Sequence, residues 1–270
     1  MKKIILALVF PVFAGCATGD ADLIKTALEK NKAGQKEEAT QILTSMCDKN
    51  IVRGCIALGL VWQTNGDNEK AIKYYQLGCD KGDAGGCTSL GFLEQSLGDI
   101  AEAANTFGEA CDRGSGTGCA YAGSLLMKLG DFIQAKQLLT EGCDTLNEPT
   151  SCDAMANLAK LQGNEGEAKN YLDKALGIYI KNCDHDDANA CIQAAHQEWL
   201  LGHQEKAREL YKKQCDKCVA KANKPFACIA CSQWGQMEEL FGGNKVTASE
   251  LYQQACKNGE DVLGCMNQKK

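Results

Sequence analysis

Cysteine is the residue type whose chemistry first needs an explanation. The chain has 270 residues, and 17 of them are Cys. At this density thiols form disulfides in an oxidising compartment, or they bind metal or act in redox chemistry in a reducing one. Cys47, Cys79, Cys111 and Cys143 are each 32 residues apart, and each is followed by a second Cys after eight or nine positions. Such regularity favours a repeated structural role.

Four cysteines near the C-terminus allow a different chemistry. Cys215 and Cys218 form one Cys-x2-Cys knuckle, Cys228 and Cys231 form another, and nine residues separate the two. This spacing fits a zinc site, and it also fits two disulfides within the repeat pattern. A redox role is less favoured, because no βαβ pattern surrounds either knuckle.

Catalytic motifs are missing from the sequence. No Ser has a Lys three residues later, and Ser-Asp-Asn, Lys-Thr-Gly and Gly-x-Ser-x-Gly do not occur. The three histidines, His185, His196 and His203, show no zinc-enzyme spacing. We therefore expect no catalytic residue, no bound metal and no cofactor.

The N-terminus predicts export. Two lysines precede the apolar stretch Ile4–Phe13, which is too short to span a membrane. The small residues Ala14 and Gly15 then lead to Cys16. We assign residues 1–15 to a signal peptide and residues 16–19 to a lipid-anchored tether. The segment Phe13–Cys16 resembles a bacterial lipobox, which implies lipidation of Cys16. Ordinary signal cleavage, which gives a secreted protein, is the alternative.

Between the cysteines a pattern recurs that predicts helix pairs. Leu58-Gly59, Gly66-Asp67, Ala71, Tyr75 and Cys79 mark one unit, and later units repeat the same frame. Apolar and small residues recur at helical spacing, Gly fits a left-handed cap after the first helix, and Asp fits the start of the second. We predict about seven antiparallel helix pairs stacked as an all-α solenoid over residues 20–270.

Two units depart from this frame, one of them by an insertion between Cys215 and Cys231. In the other unit there are 31 residues from Cys152 to Cys183, against 24 in the regular units, so this unit has an insert of seven. Seven residues make two helical turns, and the segment Ala175–Ile180 has a helix-forming composition. We therefore predict a longer second helix in this unit.

Composition excludes several classes of protein. Apolar residues make up 44% of the chain, which is enough for a packed core, although aromatic residues make up only 6%. The formal net charge of −6 disfavours nucleic acid and anionic lipid as partners. We expect contact with a membrane only through the N-terminal lipid.

The repeat frame resembles tetratricopeptide repeats. The Cys-x7-Cys pairs are similar to those of the Sel1-like, disulfide-rich repeats of the Helicobacter cysteine-rich protein family. In such a fold each cysteine pair joins the end of one helix to the start of the next, where Cα atoms reach disulfide distance. The predicted disulfides are Cys47–Cys55, Cys79–Cys87, Cys111–Cys119, Cys143–Cys152, Cys183–Cys191, Cys215–Cys231, Cys218–Cys228 and Cys256–Cys265.

The resemblance also implies a binding groove. In tetratricopeptide geometry the second, fifth, ninth and twelfth positions of each first helix face this groove. With Cys87 counted as position four, such sites include Phe92, Gln95, Ser124, Met127, Asn157, Lys160, His196, Trp199 and Gln236. Trp199 and Phe92 are the strongest candidates, since large aromatic side chains are frequent at binding sites.

We therefore expect a non-catalytic binding scaffold in the bacterial cell envelope, anchored to the outer membrane and facing the periplasm or the cell surface. Its expected partner is a peptide or an envelope protein, and we expect a monomer. The resemblance implies two alternatives: a β-lactamase or penicillin-binding hydrolase, as family members are often labelled, and a secreted factor that binds host proteins.

Overall fold

A computed structural model describes residues 16–185, 187–220, 225–240 and 245–259 of the chain. Within these ranges there are fourteen α-helices, one π-helical turn at Glu141–Thr145 and no strand. The helices are α1 (Cys16–Lys32), α2 (Lys36–Asp48), α3 (Val52–Thr64), α4 (Asn68–Asp80), α5 (Ala84–Leu97), α6 (Ile100–Asp112), α7 (Gly116–Leu129), α8 (Phe132–Thr140), α9 (Pro149–Leu161), α10 (Glu165–Asp184), α11 (Ala188–Leu200), α12 (Gln204–Ala220), α13 (Pro225–Leu240) and α14 (Lys245–Gly259). The predicted all-α solenoid of helix pairs is confirmed.

The chain divides into two compact units. The N-terminal unit ends at Glu141 and contains α1 to α8, and the C-terminal unit begins at Gly142 and contains α9 to α14. In each unit every helix packs mainly against the helices that precede and follow it in the chain. This is the packing order of an α-solenoid.

Helix ends follow the predicted capping chemistry. Gly98 and Gly130 end α5 and α7 with φ of 95° and 87°, in the left-handed region that glycine adopts at low cost. Asp131 then accepts a hydrogen bond from the backbone N–H of Gln134 at 3.0 Å and caps α8. Asp67 caps α4 in the same way, whereas Asp99 makes no side-chain capping bond to α6.

Disulfides join neighbouring pairs at the other end of the helices. Their Cα–Cα distances are 4.5 to 4.9 Å, and the bonded pairs are Cys47–Cys55, Cys79–Cys87, Cys111–Cys119, Cys143–Cys152, Cys183–Cys191 and Cys215–Cys231. Closing a nine-residue loop is worth about 2.5 kcal/mol in the chain-entropy account. Disulfides in this number indicate an oxidising compartment.

The remaining cysteine predictions lie outside the described residues. This holds for the side chains of Cys16, Cys218, Cys228 and Cys256, and for Cys265 as a whole. Lipidation of Cys16 and the pairs Cys218–Cys228 and Cys256–Cys265 therefore stay predictions.

Glycines in the first helices let the helices approach closely. A Cβ at Gly86 would lie 2.5 Å from the backbone nitrogen of Cys79, beside the disulfide. A Cβ at Gly91 would lie 2.9 Å from the ring of Phe107, which is fully buried. Since real Cβ atoms do not come this close, helix spacing in the pair α5/α6 depends on glycine at position 91.

The long second helix is also confirmed. Helix α10 has 20 residues, whereas α4 and α6 have 13 each. The seven additional residues form two turns without interrupting the helix.

Across the described ranges, every helix is too short or too polar to cross a bilayer.

Substitution of Gly91 tests the close approach. We expect Gly91→Ala to lower the free energy of unfolding by about 1–3 kcal/mol, because the new methyl group overlaps Phe107. Gly108→Ala in α6 is the control. Beyond the backbone of its own helix, no atom of the described residues lies within 4 Å of its added Cβ, so alanine should raise stability by about 0.5–1 kcal/mol. Urea unfolding of the oxidised proteins measures both values, and equal destabilisation by the two changes would contradict the packing argument.

Candidate functional site

A cavity of about 440 Å³ in the C-terminal unit is the candidate functional site. We call it the α9–α11 cavity, because helices α9 and α11 supply most of its walls. Its lining consists of Asp153, Asn157, Lys160, Leu172, Gln193, His196, Gln197, Leu200 and Leu201. A volume of this size is within the range of small-ligand sites.

Helical spacing brings the polar lining residues together. Asp153, Asn157 and Lys160 lie at positions i, i+4 and i+7 of α9, so they share one face of that helix. On α11, Gln193 and His196 are three residues apart and also share a face. The two polar faces line the same cavity.

The insertion in α10 decides which side chain reaches Asp153. In the regular pair α3/α4, the Tyr75 hydroxyl donates to Oε1 of Gln63 at 2.7 Å. Tyr179 has the same place as Tyr75, four residues before the second-helix cysteine, but its hydroxyl donates to Oδ2 of Asp153 at 2.8 Å. Gln63 lies eight residues after the cysteine of its first helix, whereas Asp153 lies one residue after its own. The hydrogen-bond acceptor thus differs by seven positions, which equals the length of the insertion.

Leu172 takes the place that an aromatic ring has in several other pairs and that a leucine has in two. It lies nine residues after Gly163, just as Tyr75 lies nine residues after Gly66. Leu172 is half-buried and lines the cavity, whereas Tyr75 is fully buried. Leu43 and Leu139, at the same place, are also fully buried, so the cavity goes with the partial exposure of Leu172 rather than with the leucine itself.

Asp153 is the one acidic residue among the described residues that line the cavity, and its carboxyl group has a shifted pKa. Burial raises its pKa, although hydrogen bonds from Tyr179 and Gln197 and the nearby His196 oppose the shift, and Glu148 adds to it. Gln197 donates from Nε2 to Oδ1 of Asp153 at 2.5 Å. Burial and the nearby Asp153 in turn raise the pKa of the Tyr179 hydroxyl. Two donors thus hold a partly desolvated acid in place.

Three of the nine predicted groove residues meet in this cavity. Asn157, Lys160 and His196 are exposed and line it together. Their side chains supply an amide, an ammonium and an imidazole, which together offer hydrogen-bond donors and acceptors to a polar ligand. Gln236, also in the C-terminal unit, is half-buried on α13 and does not line the cavity.

Four predicted groove residues belong to the N-terminal unit. Phe92 is 39% exposed, and its ring contacts Phe107 and the equally exposed Tyr121 with centroid distances of 5.0 and 4.6 Å. Gln95 and Ser124 are half-buried, and Met127 packs against the core of α6 and α7. An aromatic patch therefore exists in this unit, and more than half of the surface of Phe92 and of Tyr121 is already buried by packing.

Trp199 corrects one sequence expectation. It was expected to be exposed in the groove, but it is only 3% exposed and packs with Ile192, Tyr211 and Met237. The guanidinium of Arg208 lies 5.5 Å from its ring centroid. The next helices cover this position, because burial of a large indole ring is a strong source of stability.

A salt bridge accompanies this burial. Arg208 donates from Nε to Oε1 of Glu238 at 2.7 Å and from Nη2 to Oε2 at 3.1 Å. Trp234 also donates to Glu238, and these bonds lower the pKa of this buried carboxyl group. The cluster fixes α12 against α13.

Sequence reasoning missed several lining residues. Asp153 occupies the fifth position of its helix, which the repeat geometry had marked as facing the groove, so a signal was present. Gln193 and Gln197 stand at positions six and ten, outside the marked set. Only the packing of α9 against α11 shows that they share the cavity.

One group of possible metal ligands occurs in the described ranges, and its chemistry does not fit a metal. Cys79, Cys87 and Glu109 place their ligand atoms close together. The two sulfur atoms are bonded to each other, so no thiolate remains for a metal.

Comparisons with known proteins agree with the fold. The family of tetratricopeptide repeats matches residues 149–179, which include α9 and most of α10. A Sel1 repeat protein from Oxalobacter formigenes aligns with a TM-score of 0.50 and 19% identity over 72% of this chain and 86% of that one. No curated protein sequence is significantly similar to the chain.

A larger assembly shows the same fold. The structure of the Cut9–Hcn1 hetero-tetramer of the APC/C aligns with a TM-score of 0.51 and 13% identity, over 90% of this chain but 47% of that one. MamA aligns with a TM-score of 0.46 and 17% identity over 58% of this chain and 96% of that one. Fold and cavity together define a helical-repeat protein, similar to Sel1 and tetratricopeptide repeat proteins, with disulfide-linked helix pairs.

Substitution of Asp153 tests the desolvation of its carboxyl group. A raised pKa means that the folded state holds this proton to higher pH than the unfolded state, in which the pKa is near 3.8. The stability that the Asp153 carboxyl group contributes is fully present below the unfolded pKa, and it is lost as the pH rises through the folded pKa. We therefore expect wild type to lose stability relative to Asp153→Asn between acidic and neutral pH. Urea midpoints measure the change.

Asp173→Asn provides the control for this experiment. Asp173 is an exposed carboxylate on α10 outside the cavity, so its substitution removes the same formal charge. If wild type and Asp153→Asn kept a constant difference in stability across this pH range, the assignment of a raised pKa to Asp153 would be wrong.

Proposed function

We propose that this protein is an exported, non-catalytic repeat scaffold that binds peptides or envelope proteins through the α9–α11 cavity. The cavity is the observation that carries this proposal. It is built mainly from the first helices of adjacent pairs, and four of its residues (Asp153, Asn157, Lys160 and His196) stand at positions that face ligands in tetratricopeptide geometry. The lining combines a carboxylate, an ammonium, an imidazole and amides. Such a lining suits a peptide, whose backbone and side chains both form hydrogen bonds.

The chemistry of the lining supports binding over catalysis. Asp153 already accepts hydrogen bonds from Tyr179 and Gln197, so its position is fixed by neutral donors. His196 and Lys160 are exposed at the cavity, where they are free to adapt to a ligand. A rigid polar centre with adaptable exposed groups is the arrangement that a recognition site requires.

The location in the cell envelope rests on two features. Six disulfides are typical of a protein that folds outside the reducing cytosol. The sequence before Cys16 has the features of a lipoprotein signal, and Ala17 rather than Asp implies sorting to the outer membrane. The Sel1-like fold and the cysteine spacing also support membership of the Helicobacter-type cysteine-rich repeat proteins.

Mass spectrometry of the mature N-terminus tests the anchor. We expect the first residue to be Cys16 with attached acyl chains, and Cys16→Ser to release the protein from the membrane fraction. Thr18→Ser, which leaves residues 1–15 and Cys16 unchanged, is the control for a general effect of substitution in this region. An unmodified N-terminus at another residue would contradict lipidation and support a secreted protein.

A peptide array tests the binding function. Oxidised protein should bind a subset of short peptides, and Asn157→Ala combined with His196→Ala should weaken that binding at least tenfold, because two polar contacts are lost. Lys169→Ala combined with Asn170→Ala is the matched control. Both residues are exposed on α10 and neither lines the cavity. Equal binding by the two double variants would exclude the cavity as the peptide site.

A further inference from the structure

Asp153 and Gln197 both line the α9–α11 cavity and are hydrogen-bonded to each other. The amide of Gln197 donates from Nε2 to Asp153, and this bond fixes its orientation, since the flipped amide would place its oxygen against the carboxylate. Its Oε1 atom is buried and has no hydrogen-bond partner among the described residues. Because a buried acceptor without a donor costs free energy, a ligand N–H group that reached this atom would remove that cost.

The neighbouring carboxylate favours a charged donor. Asp153 is hydrogen-bonded by two neutral groups, the hydroxyl of Tyr179 and the amide of Gln197, which satisfy its oxygens without neutralising its charge. Each carboxylate oxygen retains a further acceptor position. A ligand ammonium or guanidinium at this point would bond Asp153 and Gln197 together and supply the missing positive charge.

Leucine side chains provide room for an aliphatic stem. Leu172, Leu200 and Leu201 line the same cavity, and Leu200 is 62% exposed. Lysine and arginine side chains place their methylene groups along apolar surfaces while the charged end reaches a polar partner. The leucines therefore complement the stem of a basic side chain whose cation lies at Asp153.

Lys160 favours a ligand that carries an acidic group next to the cation. It lies seven residues after Asp153 on the same face of α9, about 10 Å along the helix axis. Its exposed ammonium would repel a ligand that carried only positive charge, and it would attract an acidic group placed next to the basic one. The cavity thus has a negative pole at Asp153 and a positive pole at Lys160.

We propose that the α9–α11 cavity binds a lysine or arginine side chain of a peptide in which an acidic residue adjoins the basic one. The cation binds Asp153 and Oε1 of Gln197, the stem packs on the three leucines, and the acidic residue pairs with Lys160. This inference rests on the proposed function, since it names the class of peptide that the scaffold takes.

Binding of three matched peptides tests the inference. The probes are an acetylated, amidated peptide with Glu-Lys at its centre, the same peptide with norleucine for Lys, and the same peptide with Gln for Glu. Oxidised protein should bind the Glu-Lys peptide about tenfold more tightly than either of the others, because each change removes one charge-assisted contact. Isothermal titration measures the three affinities.

Two variants assign the contacts to residues. Asp153→Asn should remove the preference for Lys over norleucine and keep the preference for Glu over Gln, whereas Lys160→Gln should do the reverse. Asp173→Asn should keep both preferences. The comparison of peptides on wild-type protein carries the test even if Asp153→Asn fails to fold.

The outcomes separate this inference from the proposed function. Equal affinity for the Lys and norleucine peptides would overturn the inference and leave peptide binding intact. Loss of the Lys preference in Lys160→Gln alone would also overturn it, because the cation would then bind elsewhere. If no peptide bound, either here or on the array, both the inference and the proposed function would be contradicted.

Discussion

Close approach of neighbouring helices at each disulfide is the constraint on which the structure depends. Aromatic residues make up only 6% of the chain, so large side chains cannot supply most of the packing. The helices instead approach until a Cβ at Gly86 would touch the backbone of Cys79, and the bond between Cys79 and Cys87 holds that contact. Glycine reduces the distance between helices, and the disulfide lowers the entropy of the unfolded chain.

A single departure from this regular packing accounts for the candidate site. Two additional turns in α10 move the hydroxyl of Tyr179 seven positions along α9, from the expected twelfth position to Asp153 at the fifth. Leu172 stands where the other pairs have a fully buried aromatic or leucine side chain, but it is only half-buried and lines a cavity. In a regular repeat every pair buries its first-helix face in the same way. The insertion changes the pair α9/α10 and places the carboxylate of Asp153 against its second helix.

The sequence could predict the six disulfides but not the cavity. Cys47 and Cys55 are close in the chain, so helix ends and a short turn already bring them to bonding distance. Asp153 and Gln197 are 44 residues apart and meet only because α9 packs near α11. For Trp199 the prediction from the repeat was wrong. Its position predicted an exposed side chain, but packing against Tyr211 and Met237 buries it.

The sequence by itself determined the local structure of this protein. The Gly-Asp turns, the cysteine spacing and the seven-residue insert were enough to predict helix pairs, most bonded cysteines and the long α10, because each depends on residues near one another in the chain. Tertiary structure alone decided which polar side chains share a cavity and which are buried. Those outcomes depend on contacts between separate helices, where burial raises the pKa of Asp153 and leaves Oε1 of Gln197 without a hydrogen-bond donor among the described residues.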